Sequence, residues 1–287
     1  MALRKLLLPL TGTAADDVAL ATSAVVARRW NAHVQALYFH HATPLQPFGT
    51  DILPGTMITE MAEDADHDRQ QRIQQAQAHV EETMARHGVA MAAPAHGQDH
   101  PTAAFATALT RPDEMVAQQA RLADLTIIPH LDLDEDDSFS DMLHAALFDS
   151  GRPVLVAPRR PVEAIGTRVC IAWNGTAESA AGVQAAMPWL HRAAAVRVLT
   201  ATGYQRRGPE AQALGDYLAL HDITAEIATF QPAEKSVGRG LLAAARDFGA
   251  DLLAMGAYSH PRWRQVILGG VTRAVLEEAA LPVLMNR

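Results

Sequence analysis

The sequence predicts an α/β protein made of two tandem doubly wound parallel-sheet domains, and three observations carry that reading. The first is an internal repeat. The stretch "LLLPLTGTAADDVALATSAVVARRWNAHVQALYF" has the layout of "VCIAWNGTAESAAGVQAAMPWLHRAAAVRVLTAT", an apolar run, a Gly-Thr turn, an alanine-rich helical pattern and a second apolar run, with no gap when Gly12 is set on Gly175. The second is the character of the predicted strands, short Val/Leu/Ile runs with little polar alternation, as expected when both faces of a parallel sheet are covered. The third is the alternation of those runs with helical stretches, which implies right-handed crossovers and a layered α/β fold.

Each half reads as five strands separated by four helices. The halves match again near their ends, where "ADLTIIPH" parallels "ADLLAMGA" and "RPVLVAPR" parallels "LPVLMNR". Gly12 to Gly175 is an offset of 163 and Asp124 to Asp251 one of 127, so the first half carries 36 extra residues, most of them within 41–90. There, "MITEMAEDADHDRQQRIQQAQAHVEETMARHG" is polar and has no internal Gly or Pro, which predicts a long surface helix ending near Gly88. The preceding "TPLQPFGTDILPG" is a Pro/Gly loop. The proline-bearing "PRRPVEAIGT", Pro158 to Thr167, separates an expected first domain, residues 1–159, from a second, residues 166–287.

Composition limits the function classes. The 287 residues suit one large domain or two ordinary ones with a real core. A formal net charge of -8, without a Lys/Arg-rich stretch interleaved with aromatics, argues against nucleic acid as the main partner. The opening "MALRKLLLPLTG" is too short to span a bilayer and lacks a small-residue cleavage site; it is expected to be a first strand, with no membrane partner. A single cysteine, Cys170, cannot form an internal disulfide, which fits a reducing, cytoplasmic setting.

The candidate site is "GAYSHPRWRQVILGGVT", Gly256 to Thr272. Glycine is costly inside regular elements, so Gly256 at a strand end implies a backbone that something approaches closely. Gly269 and Gly270 sit at a helix start, where free N–H groups and the positive end of the helix dipole suit an anion, most naturally phosphate. Ligands of such sheets bind outside the carboxyl ends of the strands, where "AWNGT", "LTATG" and "MGAYSH" meet.

This order, Gly256, two residues, Ser259, nine residues, Gly269, Gly270, then Thr272 and a helix leading to "LPVLM", resembles the ATP-binding form of the universal stress protein family, whose pattern is G-x2-G-x9-G-[ST]. With the repeat and "IAWNGTAESA", the resemblance covers essentially the whole chain as two tandem stress-protein domains. The family's second glycine is Ser259 here, its following Ser/Thr is Gly270, and its acidic ribose contact is Asn174. The resemblance implies ATP, with or without Mg²⁺, or a related adenine nucleotide as ligand. The backbone around Ala172, Trp173 and Ala201, with Met255 beside it, would frame the base. Gly256, Ser259, Gly269, Gly270, Val271 and Thr272 would surround ribose and phosphates, and Asn174 would face the sugar. It further implies association of the domains through their last strands, "PVLVAP" and "PVLMN", a homodimer, and stress survival through nucleotide-sensitive contact with other proteins.

Other signals are weighed against ordinary packing. In the first half "IIPHLDLDEDDSFSDMLHAALFDS" puts Asp132, Asp134, Glu135, Asp136 and Asp137 where phosphates would sit, and these carboxylates would repel them. Arg262, Arg264 and Arg273 could reach phosphates, or be ordinary solvated surface. Trp173 and Trp263 could stack on a base or simply pack. The first-half histidines, His40 and His41 among them, form no metal-ligand spacing, and His260 has no paired Ser or Asp, so neither a metal set nor a catalytic residue is assigned. "AEKS", Ala233 to Ser236, lacks the upstream glycine of a P-loop. Two rivals to a regulatory nucleotide binder stay open: a slow ATP hydrolase and a nucleotide-independent dimeric adaptor.

Overall fold

The protein is described by a computed structural model over residues 2–39, 55–109, 111–130, 137–204, 208–257 and 270–287. The first half runs β1 (Lys5–Leu10), α1 (Ala15–Trp30), β2 (His33–Phe39), α2 (Gly55–Arg86), β3 (Ala90–Met91), β4 (Thr102–Ala108), α3 (Pro112–Ala120), β5 (Leu125–Ile128), α4 (Asp137–Asp149) and β6 (Val154–Val156). The second runs β7 (Arg168–Ala172), α5 (Ala177–Leu190), β8 (Ala195–Ala201), α6 (Ala211–Ala219), β9 (Ala225–Phe230), α7 (Val237–Phe248), β10 (Leu252–Gly256), α8 (Gly270–Glu278) and β11 (Val283–Asn286). The strands form one eleven-stranded sheet in the order β3-β4-β2-β1-β5-β6-β11-β10-β7-β8-β9.

Each half therefore repeats one strand order, and all pairings within a half are parallel. The last strands join the halves in an antiparallel ladder, Val156 opposite Val283, Leu155 opposite Leu284 and Val154 opposite Met285. This is the association through "PVLVAP" and "PVLMN" expected from the resemblance. The two-residue β3 is an addition to the expected five strands: after α2 the chain returns along the sheet margin and pairs briefly with β4.

The apolar strand runs are explained by two cores, one on each face of the sheet. Alternate side chains Leu6, Leu8, Val169, Ile171, Leu252, Ala254 and Leu284 pack with α1, α2, α5 and α6. Leu7, Cys170, Leu253, Met255, Val283 and Met285 pack with α3, α4, α7 and α8. Cys170 is buried in the second core, and burial pushes its thiol up to about 12, an inert thiol.

Two devices recur at the repeat offset. The carboxylate of Asp124 accepts the N–H groups of Arg4 and Lys5 at 2.7 and 3.0 Å, and that of Asp251 accepts those of Gly166, Thr167 and Arg168 at 3.0, 2.9 and 2.9 Å. Each aspartate pins the start of the central strand of its half to the strand beside it. Arg29 and Arg192 donate to each other's backbone carbonyl, at 3.1 and 2.8 Å, across the pseudo-two-fold axis. Between them the Trp30 and Trp189 rings meet edge to face at 5.4 Å, with Gly166 so close that a Cβ would lie 2.5 Å from Trp189.

The extra length of the first half is mostly α2, 32 residues against nine in its counterpart α6. Its C-terminal part buries Val80, Thr83 and Met84, whereas Met57 and Met61 near its start are exposed. Among the described residues no helix is long and apolar enough to cross a membrane.

Candidate functional site

In the second half the strand order reverses beside β7, whose neighbours are β8 and β10. The chain leaves β7 into α5 on one face of the sheet and leaves β10 toward α8 on the other. Diverging connections open a crevice at the carboxyl ends of these strands.

The turn after β7 is built by local hydrogen bonding. Asn174 Oδ1 accepts from the backbone N–H of Thr176 at 3.2 Å and from its hydroxyl at 2.9 Å, while Thr176 caps α5 through Ser179 N–H. Gly175 takes φ +79°, open to glycine at little cost. With Oδ1 held in the turn, the Nδ2 hydrogens of Asn174 have no hydrogen-bond partner named among the described residues. The N–H of Trp173 is bound to Leu199 O at 2.9 Å, and its indole N–H to Pro209 O at 2.9 Å, with the ring in the core. Trp173 thus packs, and offers no free ring face for a base.

Sequence reasoning missed the partner of that indole. Gly208 and Pro209 lie directly over the Gly175 turn, and a Cβ on Gly208 would overlap the Gly175 carbonyl. They cover the turn that follows β7. The Gly-Pro pair was the available signal, but only a structure reveals what it lies against.

Gly256 is explained by a close approach from within the protein. A Cβ there would collide with the Glu178 carbonyl and the Ser179 N–H, the first turn of α5. Gly182 of α5 completes the contact, since its Cβ would lie 2.6 Å from the Met255 carbonyl carbon. The Met255 side chain is buried on the opposite face.

At the other end, α8 starts at Gly270, which is exposed, has nothing among the described residues within 4 Å of a would-be Cβ, and has no acidic residue in the first turn after it. Val271 packs on α7, where a Cβ on Gly238 would lie 3.0 Å from the Val271 carbonyl oxygen, and Thr272 is buried. Arg273 is held by Glu277 at 2.6 Å. The structure thus brings Ala172, Trp173, Asn174, Ala201, Met255 and Gly256 to the carboxyl ends of neighbouring strands, with Gly270, Val271 and Thr272 on α8. Ser259, His260, Arg262, Trp263, Arg264 and Gly269 lie outside the described residues, as do His40, His41 and Asp132, Asp134, Glu135 and Asp136. Nothing is described of the Asp137 side chain.

"AEKS" forms a tight turn with Glu234 and Lys235 at φ 49° and 62°, and Ser236 caps α7. Among the described residues no three His, Cys, Asp or Glu side chains gather as a metal-binding set.

The first half builds its corresponding turn differently. Asp16, 5% exposed, accepts the N–H groups of Thr11 and Gly12 on Oδ2 at 3.0 and 2.7 Å, and Tyr38 stands over Gly12. Burial pushes the Asp16 carboxyl up to about 6 against the lowering effect of those hydrogen bonds.

Comparison with known proteins finds likenesses to the second half and to the whole fold. Residues 167–287 match the Universal stress protein family. A universal stress protein from Archaeoglobus fulgidus DSM 4304 superposes with a TM-score of 0.67 at 14% identity, covering 99% of this chain and 96% of its own. A functionally unknown protein from Pseudomonas aeruginosa PAO1 gives 0.53 at 14% identity, covering 99% and 92%. No curated protein matches the sequence. The second half of the chain thus matches the universal stress protein family, and the chain as a whole shares the fold of the Archaeoglobus fulgidus universal stress protein.

Two outcomes are expected. Gly256→Ala destabilises the protein by about 1–3 kcal/mol in urea unfolding because α5 must shift, whereas Gly270→Ala leaves stability unchanged or raises it by up to about 1 kcal/mol. Asp16 binds its proton more tightly folded than unfolded, so its contribution to stability is full below about 3.8 and lost as the pH rises through about 6. Asp16→Asn, measured the same way, therefore gains on the wild type by on the order of 3 kcal/mol between about pH 4 and about pH 7.

Proposed function

We propose that the second half binds ATP or a related adenine nucleotide, with or without Mg²⁺, and that the first half, lacking an equivalent phosphate site, is its structural partner in a regulatory stress-response protein. The observation that carries this reading is the open start of α8. Among the described residues nothing crowds Gly270 and the first turn of α8 carries no acidic side chain, and the N–H groups of such a helix start attract phosphate through hydrogen bonding and the helix dipole together. Gly270, Val271 and Thr272 would hold the phosphates, with Ser259 and Gly269 completing the segment by family resemblance. Asn174 Nδ2 would reach the sugar, and the base would lie at the ends of β7, β8 and β10, near Ala172, Trp173, Ala201, Met255 and Gly256, bounded by Gly208 and Pro209. Nucleotide occupancy would change the surface that protein partners meet, in a reducing cytoplasm suited to a lone thiol.

Because β6 and β11 pair with each other inside the chain, a homodimer would form on another surface, and the sheet margins at β3 and β9 are the strand edges left for it. A second reading, the nucleotide-independent adaptor, is favoured by one observation: Gly256 has a sufficient structural reason in the approach of α5.

Calorimetric titration of Mg·ATP into the full chain distinguishes them. The nucleotide reading expects saturable binding near one ATP per chain, weakened at least about tenfold by Gly270→Gln, a variant with room for its side chain. Absence of binding in the wild type, with no nucleotide retained on purification, would leave the adaptor.

A further inference from the structure

The two margins of the sheet are finished differently. In the first half β3 pairs with the start of β4, Ala90 opposite Thr102 and Met91 opposite Ala103, and the N–H of Ala92 follows onto Ala103 O at 2.9 Å. A very short outer strand is one of the usual ways in which a sheet edge is blunted. In the second half the sheet ends on β9, which pairs with β8 over the whole of Ala225–Phe230 and has no strand beyond it.

One hydrogen bond tells which backbone groups of β9 face outward. Phe230 O accepts the N–H of Thr202, the residue after β8, at 2.9 Å, so the polar groups of Phe230 point toward β8. Because these groups alternate sides along a strand, Glu226 and Ala228 also face β8, and Ala225, Ile227 and Thr229 turn their N–H and C=O away from it. Among the described residues these outward groups have no hydrogen-bond partner.

The devices that protect an exposed edge are missing from β9. It contains no Pro or Lys, and its register with β8 runs without a bulge. Its one charge is engaged within the sheet, since Glu226 Oε2 accepts from two guanidinium nitrogens of Arg197 on β8 at 3.0 and 2.7 Å. The strand is also held in place for pairing. Ile227 packs on one core and Ala228 and Phe230 on the other.

We infer that β9 is a homodimer interface, on which a second copy of this chain lays its own β9 antiparallel about a two-fold axis at Ile227. The inference rests on the homodimer considered above and specifies its surface. In this register Ile227 meets Ile227 of the partner subunit and Ala225 meets Thr229 of the partner subunit, all as hydrogen-bonded pairs, which gives about six new N–H···O bonds. Glu226 comes opposite Ala228 of the partner subunit, so no like charges stand directly across from each other. A second copy is the occupant because each chain offers one such bare edge: isologous pairing satisfies both edges at once and closes at the dimer. The joint between β6 and β11 already has two sheet ends of this protein meeting antiparallel through short strands.

Sedimentation equilibrium of the full chain measures the association, and two cysteine variants read the register. The expected result is a dimer with a Kd of about 10 µM or tighter, weakened at least about tenfold by Thr229→Pro. Thr229 is exposed and its N–H points outward, so proline there removes a donor to the partner subunit and none to β8. Thr229→Val keeps that N–H and should dimerise as the wild type does. Under mild oxidation with diamide, Ile227→Cys should cross-link the dimer and Thr229→Cys should not. The axis places the two 227 positions about 5.5 Å apart, within disulfide reach, and the two 229 positions more than about 13 Å apart. Cys170 is buried and does not compete. A chain that stays monomeric at about 100 µM overturns the inference together with the homodimer on which it rests. A dimer that Thr229→Pro leaves intact, or that Ile227→Cys fails to cross-link, overturns the inference alone and puts the homodimer on another surface.

Discussion

A ladder of three residue pairs, Val154–Val156 against Val283–Met285, is the constraint on which the rest of the molecule depends. Every other strand is held within its own half by parallel pairing; this antiparallel joint makes two repeats into one sheet. It works because both last strands are short, apolar and buried on both faces, so that leaving either unpaired would expose backbone N–H and C=O groups in an apolar setting. The reciprocal hydrogen bonds of Arg29 and Arg192 and the Trp30–Trp189 contact arise from the same pseudo-symmetry. They fix the helices over the joint as the ladder fixes the strands beneath it.

Symmetry of frame has not kept the two carboxyl-end sites alike. Both halves make the same glycine turn after their first strand. In one, an aspartate carboxylate holds the turn and a long helix stands back to leave a cavity; in the other, an Asn-Thr network holds it and Gly208–Pro209 lies on top. The difference originates in the connection that leaves the second strand of each half, α2 in the first and the Gly208–Pro209 segment with α6 in the second. An α/β sheet tolerates such variation because connections at strand ends carry little of the core.

The fold was legible in the sequence because its signals are periodic and repeated. Buried strand runs, the Gly12/Gly175 alignment and the Asp124/Asp251 correspondence all carry through to the sheet order, and the two aspartates prove to perform the same pinning role. What escaped depends on contacts between distant segments. Nothing near Ala90 marks a two-residue strand, which exists only because β4 lies beside it. Gly256 announced a close approach, but the approaching group, the first turn of α5, lies 78 residues earlier at Glu178. Asp16 and Arg72 carry no motif in the sequence, and their meeting around one cavity has no one-dimensional signature.

If the joint governs the fold, the strands that form it should open only when the whole protein does. Native-state hydrogen exchange, followed by mass spectrometry on peptides spanning β6 and β11 and compared with those spanning β1 and β7, measures this directly. The joint predicts equal protection for all four strands, with exchange through one global unfolding step. Exchange of β6 and β11 in an earlier step, with β1 and β7 still protected, would mean that two independently stable halves merely touch.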